Sequence, residues 1–457
     1  IEFLQEPRNI YIFFRTLWFL MYAVTVPAMV YMVYNSYLEF MENPLFTTVE
    51  TEYFPTHELN FPGIAICSVN RISRQSATKL ANEIFAANIT DLSLDEILEA
   101  IFQLGDLYDS EFMMQNTYEI DQLLTIFYNG SYSITELMKR LTPQCSSMLS
   151  KCRFHDEERN CSELFAFRKT QDGFCCTFNY ATKGDDTRLR EPIKVENLTE
   201  SGGLSVLLES SLDDYFYPIF PSAEWKDYPD MTSGGVIDFL VSPMKHRSVE
   251  LEAIVFYSTR NIIPYPLEKR DCVFQDEMTS FNMFYTYSDC IVDCKIDDIW
   301  NTCKCVPFFL PNRKLYTRES ESRRVCNLED VSCLSKHKSK WFSVIPHENL
   351  YNIEDVKDIL RCGKCYPECN TVNYNAKISI ADLESNQHVA ELLENVDIKN
   401  QSVLTIYFRK YGTIRLRQDV IYRWYELMGD ASGICGIFVG FSLIAIVEFA
   451  YFVGLFM

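Results

Sequence analysis

Basic side chains are in short supply. The 457-residue chain holds 42 Lys and Arg against 63 Asp and Glu, a formal charge of −21. That balance excludes nucleic acid as a partner, because phosphate contacts need a basic face. Histidine is scarcer still: the six are dispersed and read first as surface or core residues. No G-x-S-x-G, H-E-x-x-H or phosphate-cradling glycine loop occurs, so the chain is expected to be no enzyme and to hold no resident metal or cofactor. Low-complexity tracts are missing too, and at 47% hydrophobic the composition is not that of a disordered protein. The length allows one large domain or two to three smaller ones.

Charge is also missing from two long apolar runs, one near each end. Thr16 to Tyr34 has no charged side chain over nineteen residues, about the length that crosses a bilayer core. Arg8 and Arg15 precede it, Trp18 and Tyr34 sit where interfacial aromatics are found, and Pro27 lies inside. A signal peptide or a buried core helix are the alternatives, but no small-residue cleavage site follows. Ile434 to Met457 is the second run, interrupted only by Glu448. The chain starts at Ile1 rather than Met, and both cytoplasmic tails are expected to be trimmed from this sequence.

What is abundant is cysteine, 17 in all, too many for an ordinary cytosolic protein. Sixteen lie between the two apolar runs, together with N-x-S/T sequons at Asn88, Asn129, Asn160, Asn197 and Asn400. Together they place the intervening segment on the oxidising, extracellular side and both termini in the cytoplasm. The expected organisation is a cytoplasmic stub over 1–9, a membrane helix over 10–34, an extracellular domain over 35–428 and a second membrane helix over 429–457. Residues 1–35 sum to zero and 429–457 to −2, so the extracellular part carries −19. Zinc is the competing use of the C-x-C at 303/305 and the C-x-x-C at 362/365; the redox side and the few histidines favour disulfides.

Secondary structure reads as mixed. Residues 61–69 and 402–408 have the apolar runs of buried strands, and 371–380 of a half-exposed one. Ser93 to Leu104 reads as an amphipathic helix opened by a Ser93/Glu96 capping box. From Glu83 to Asp121 there are ten acids and no Lys, Arg or His, either a solvated surface or a wall responsive to cations, protons or basic ligands.

The second apolar run holds the chemistry. Gly429, Gly433, Gly436 and Gly440 fall on one helical face, which suits close helix packing. Helix packing leaves Gly440-Phe441-Ser442 and the intramembrane Glu448 unexplained. A helix broken there would offer carbonyls to a cation, and a carboxylate at that depth would face a lumen or a partner. Two spans cannot enclose a pore alone, so an oligomer is required.

The ordered set of FPGIAICSVNR (61–71), GFCCTFN (173–179), C-x17-C-x3-C-x8-C-x-C-V-P-F-F-L-P (272–311), CGKCYPEC (362–369), GxxxGFS (436–442) and Glu448 resembles the degenerin/epithelial sodium channel superfamily, most closely its insect pickpocket branch. The resemblance runs the length of the chain. It implies a membrane protein with two transmembrane helices per subunit and a large disulfide-rich α+β ectodomain, assembled as a trimer. The ectodomain would comprise a β palm, finger, knuckle and a helical thumb over about 272–369. It further implies the bridges Cys272–Cys369, Cys290–Cys365, Cys294–Cys362, Cys303–Cys333, Cys305–Cys326, Cys67–Cys176 and Cys152–Cys161. Cys145–Cys175 follows by subtraction, leaving Cys435 free.

By the same resemblance Gly440, Phe441 and Ser442 form the selectivity belt. Gly429, before Asp430, is where bulky side chains hold such channels open, and Gly433, Gly436 and Glu448 line the pore. Two family features are missing: the His-Gly motif before the first span, and a wrist Trp, which has no counterpart among Leu267–Asp271. The function implied is a subunit of a trimeric, sodium-preferring, amiloride-type cation channel of the plasma membrane, gated from outside. The partners implied are related subunits in a homo- or heterotrimer, membrane lipid, and a basic or small-molecule extracellular ligand; Na+ permeates, with Ca2+ and H+ as modulators. Rivals are a trimeric ATP-gated channel and an auxiliary or receptor subunit that conducts only in a heterotrimer.

Overall fold

The computed structural model describes residues 8–42, 44–108, 117–180, 192–196, 198–209, 216–220, 236–277, 285–311, 323–345, 359–383, 400–421, 423–440 and 443–456. They form two compact units. The smaller comprises residues 1–48, 258–271 and 417–457; the larger comprises 49–257 and 272–416.

Two sheets hold most of the strands, and all of their residues but 45–48, 258 and 417–420 belong to the larger unit. One runs in the order β1 (Leu45–Pro55), β15 (Gly412–Val420), β10 (Lys245–Ser258), β14 (Gln401–Phe408), β7 (Leu204–Glu209), β3 (Leu149–Phe154), β4 (Glu157–Arg159), with β13 (Thr371–Asp382) also on β10. The other runs β5 (Phe165–Thr170), β6 (Gly173–Phe178), β2 (Ile64–Ser68), β8 (Phe216–Phe220), β9 (Ile237–Asp238). Every residue of β2 and β6 is buried, which is why β2 falls in an apolar run rather than an alternating one. Phe61, just ahead of β2, is the hub of the core. Its ring meets Phe154, Phe178 and Phe408 edge-on at 5.6, 5.8 and 5.9 Å, the geometry aromatic quadrupoles prefer.

A helical lobe has its own core. It consists of α2 (Arg74–Ala86), α3 (Leu94–Gln103), α4 (Thr117–Phe127) and α5 (Ile134–Leu141). The α3 capping box forms as its sequence specifies: Ser93 accepts from Glu96 N–H while Glu96 accepts from Ser93 N–H at 2.8 Å. Those bonds hold the Glu96 carboxyl below the usual range, the backbone bond contributing most. Two further acids of the run have local partners. Glu83 takes a bidentate ion pair from Arg140 at 2.6 Å, and Asp121 accepts from the Tyr132 hydroxyl at 2.5 Å. Phe308, Leu328 and Val331 complete this core from later in the chain.

Single turns α6 (Cys145–Met148), α7 (Cys161–Leu164) and α8 (Leu267–Arg270) precede the paired helices α9 (Tyr287–Cys303) and α10 (Val331–Phe342). Asp298 of α9 accepts from Lys340 at 2.7 Å and from the Trp341 indole N–H at 2.7 Å, both on α10. The short strands β11 (Val344–Ile345) and β12 (Leu360–Arg361) pair in parallel. Bridges fasten this region to itself at Cys272–Cys369, Cys290–Cys365, Cys294–Cys362, Cys303–Cys333 and Cys305–Cys326. Cys290 and Cys294 are one helical turn apart, so successive turns of α9 tie to Cys365 and Cys362.

Pairing in the other cysteine group departs from expectation at one place. The bridges are Cys67–Cys175 and Cys145–Cys176, alongside Cys152–Cys161. The expected Cys67–Cys176 and Cys145–Cys175 are corrected by strand geometry. β2 and β6 pair antiparallel with Ile66 opposite Cys176, so one step further Cys67 stands opposite Cys175, with Cα atoms 4.7 Å apart. Adjacent strand residues point to opposite faces, so Cys176 is turned away from Cys67 and reaches Cys145 instead. The sulfurs of all sixteen are consumed in S–S bonds, which removes the zinc alternative at 303/305 and 362/365.

In the smaller unit α1 runs unbroken from Arg8 to Glu42 with Pro27 inside it. It packs against α11 (Trp424–Val439), which is followed by α12 (Leu443–Phe456).

Candidate functional site

α1 includes a 31-residue stretch, Ile12–Glu42, apolar enough to cross a membrane. Its side chains are exposed or half-buried throughout, as expected of a surface whose natural solvent is lipid or another helix. α11 and α12 are each shorter than a bilayer crossing, at 16 and 14 residues.

The chain breaks its helix between them at a glycine. α11 ends at Val439, and Gly440 takes a left-handed conformation, φ +67° and ψ 24°, with its N–H donating back to Gly436 O at 3.0 Å. A side chain there would be strained, since the left-handed region is open to glycine at little cost. α12 restarts at Leu443; Phe441 and Ser442 lie outside the described residues.

The two faces of α11 differ. Leu427, Ala431, Ile434, Cys435, Phe438 and Val439 are half-buried, while Gly429, Gly433, Gly436 and Gly440 are exposed. At roughly 3.6 residues per turn the glycines lie opposite the half-buried set, on the side away from α1. A Cβ built on Gly429, Gly433 or Gly440 meets no atom within 4 Å. Asp430 and, on α12, Glu448 are also exposed.

Behind α11 the chain is tied down by a carboxylate. Asp419, near the end of β15, accepts from the Thr259 hydroxyl at 2.6 Å, Asn261 at 3.4 Å and Val420 N–H at 2.9 Å, and pairs with Arg417 at 2.5 Å. Burial is the largest single influence and pushes its carboxyl up, but the four donors outweigh it and hold the group below its ordinary range. Ser258 donates to Gln418 at 2.9 Å, and Lys269 of α8 donates to Met41 O at the end of α1. The segment ahead of Cys272 is thus bonded to the strand that leads into α11 and to the end of α1. Within the larger unit, the Arg415 guanidinium lies 5.0 Å from the Phe54 ring and 4.5 Å from Tyr257, and its Nε is 3.0 Å from Glu50.

A family model described as the amiloride-sensitive sodium channel matches residues 2–452. The chain belongs to that family. It is 25% identical to the sodium channel protein Nach of Drosophila ananassae, over 95% of this chain and 80% of that protein. Pickpocket protein 28 of Drosophila melanogaster is 23% identical over 95% and 73% of the two chains. The bile acid-sensitive ion channel of Mus musculus is also 23% identical, over 95% and 81%. The chain is therefore a degenerin/epithelial sodium channel protein with affinity to the insect pickpocket branch, a membrane-embedded cation channel type. The family comprises ion channels rather than enzymes.

For this sodium-channel family chain, the structure gathers Gly429, Gly433, Gly436 and Gly440 on one open face and leaves Asp430 on α11 and Glu448 on α12 exposed. Among the sequon asparagines, Asn88, Asn129 and Asn160 are exposed and Asn400 is half-buried; Asn197 lies outside the described residues. Sequence reading missed the Asp419 cluster. Thr259 and Asp419 are 160 positions apart, and neither sits in a recognisable motif.

Proposed function

We propose that the chain is a subunit of a trimeric, sodium-preferring, amiloride-type cation channel gated from its extracellular domain, with both termini cytoplasmic. The observation that carries this is the glycine face of α11, left exposed among the described residues and ending in the Gly440 break. Three such faces around an axis would approach closely, and non-helical backbone at the break would present carbonyls to a partly dehydrated cation. α11 and α12 together make the second span, with Glu448 facing the lumen or a neighbouring subunit. Movement of the extracellular part reaches this pore along β1 and β15, which run into the two spans, and through the Asp419 tie.

Expression of the full-length protein under voltage clamp tests the assignment. Substituting Ser442 should shift the Na+/K+ reversal potential, and Gly429→Val should give constitutive, amiloride-blockable current by keeping the helices apart. Reversal potentials unchanged across a Ser442 series would overturn the filter assignment. Current that appears only on co-expression with a related subunit would assign the chain to heterotrimers.

A further inference from the structure

Ahead of the acid run lies its opposite. Residues 59–82 contain Arg71, Arg74 and Lys79 and no acid. The exposed side of α2 carries Arg74 and Lys79 to the edge of an open cavity of about 1400 Å3. The other charges around it are largely spent. Arg71 donates to the Asp172 carboxylate at 2.7 Å and to Asp172 O at 2.6 Å, and Glu83 on the rim is held by Arg140. Arg74 and Lys79 have no acidic partner among the described residues, and Glu209 is the one uncompensated acid in the described lining. Lys79 also borders a second cavity, of about 400 Å3, lined as well by Lys139, Arg140 and the carboxylate of Glu136.

The wall is not uniformly polar. Val69 and Phe102 line the cavity while 43% and 40% exposed, with Pro143 and Met148 beside them. Covering those surfaces is favourable for any ligand with an apolar body. We propose that this cavity binds an organic anion of single charge, its head on Arg74 and Lys79 and its apolar body against Val69, Phe102 and Pro143. A polyanion such as an acidic peptide is disfavoured, because Glu209 and the neighbouring acid run would repel its further charges.

The test measures saturable binding of radiolabelled decanoate to the full chain in lipid nanodiscs, with empty nanodiscs subtracted. Decanol and acetate serve as competitors that lack the charge and the apolar body respectively. Expected is displacement by unlabelled decanoate and by neither competitor. Affinity should weaken about tenfold or more in R74E/K79E, hold within about twofold in R74K/K79R, and tighten in E209Q. Both cations are exposed, and an unchanged elution profile shows that each variant folds. Absence of saturable binding, equal binding by R74E/K79E, or displacement by decanol or acetate as effective as by decanoate would overturn the proposal. Binding is read without current, so the result stands apart from the channel assignment.

Discussion

Two adjacent cysteines on β6 show how a single residue's direction decides a covalent map. Cys175 and Cys176 occupy neighbouring places in one sequence motif, and nothing in that motif says which way either points. The register of β2 against β6 decides it, and register is a property of two strands 108 residues apart. Thiol counting checks the result. C145S/C176S should leave Cys435 as the sole thiol reactive to maleimide after denaturation. C67S/C176S should expose two more, because Cys145 and Cys175 are turned to opposite faces of β6. Equal labelling of the two variants would contradict the observed pairing. Losing the Cys145–Cys176 bridge, which closes a 31-residue separation, should lower stability by about 3–4 kcal/mol. A residue that did announce itself is Ser93: its partner Glu96 is three positions away, so the capping box was legible without any tertiary information.

Elements were legible where their signal is local. Strands β2 and β14 declare themselves by the apolar runs at 61–69 and 402–408, and the terminal helices by the absence of charge. What joins elements was not legible, because the partners are far apart in sequence. The Asp419 tie is the clearest instance. Thr259→Val removes one charge-assisted hydrogen bond to a carboxylate and should cost about 1.5–3 kcal/mol, read as a lower melting temperature of the full chain. Its pH dependence has a definite sign. Asp419 is held below the ordinary carboxylate range, so its contribution is complete above the unfolded value of about 3.9 and is lost only as pH falls through the lower folded value. Glu252 behaves alike, lowered first by Lys377 and then by Lys410. The melting difference between wild type and Thr259→Val should therefore be the same at pH 7.4 and pH 5.5. A difference that disappears at pH 5.5 would show that Asp419 titrates in that window.

For the molecule as a whole the charge asymmetry matters most. The segment between the two apolar runs carries −19; on the extracellular side of the proposed channel it would draw cations toward the pore, and salt screens such attraction over about 8–10 Å. Sodium conductance measured at low Na+ should fall, roughly two-fold or more, when an impermeant salt raises the external ionic strength. Conductance indifferent to that salt would mean the acids lie too far from the ion path to act. The bridges have an order in time as well as a place in space. In the helical region they are concentric, with separations of 21, 30, 68, 75 and 97 residues around one centre. A chain leaving the ribosome N-terminus first completes them from the innermost outward, each with its predecessor already closed. Cys67–Cys175 and Cys145–Cys176 are interlaced instead: each bridge has one end inside the loop closed by the other. Exchanging the partners would make them concentric at no change in mass or bridge number. At that one point biosynthesis must choose between two equally oxidised chains, and an isomerase rather than an oxidant is what corrects a wrong choice.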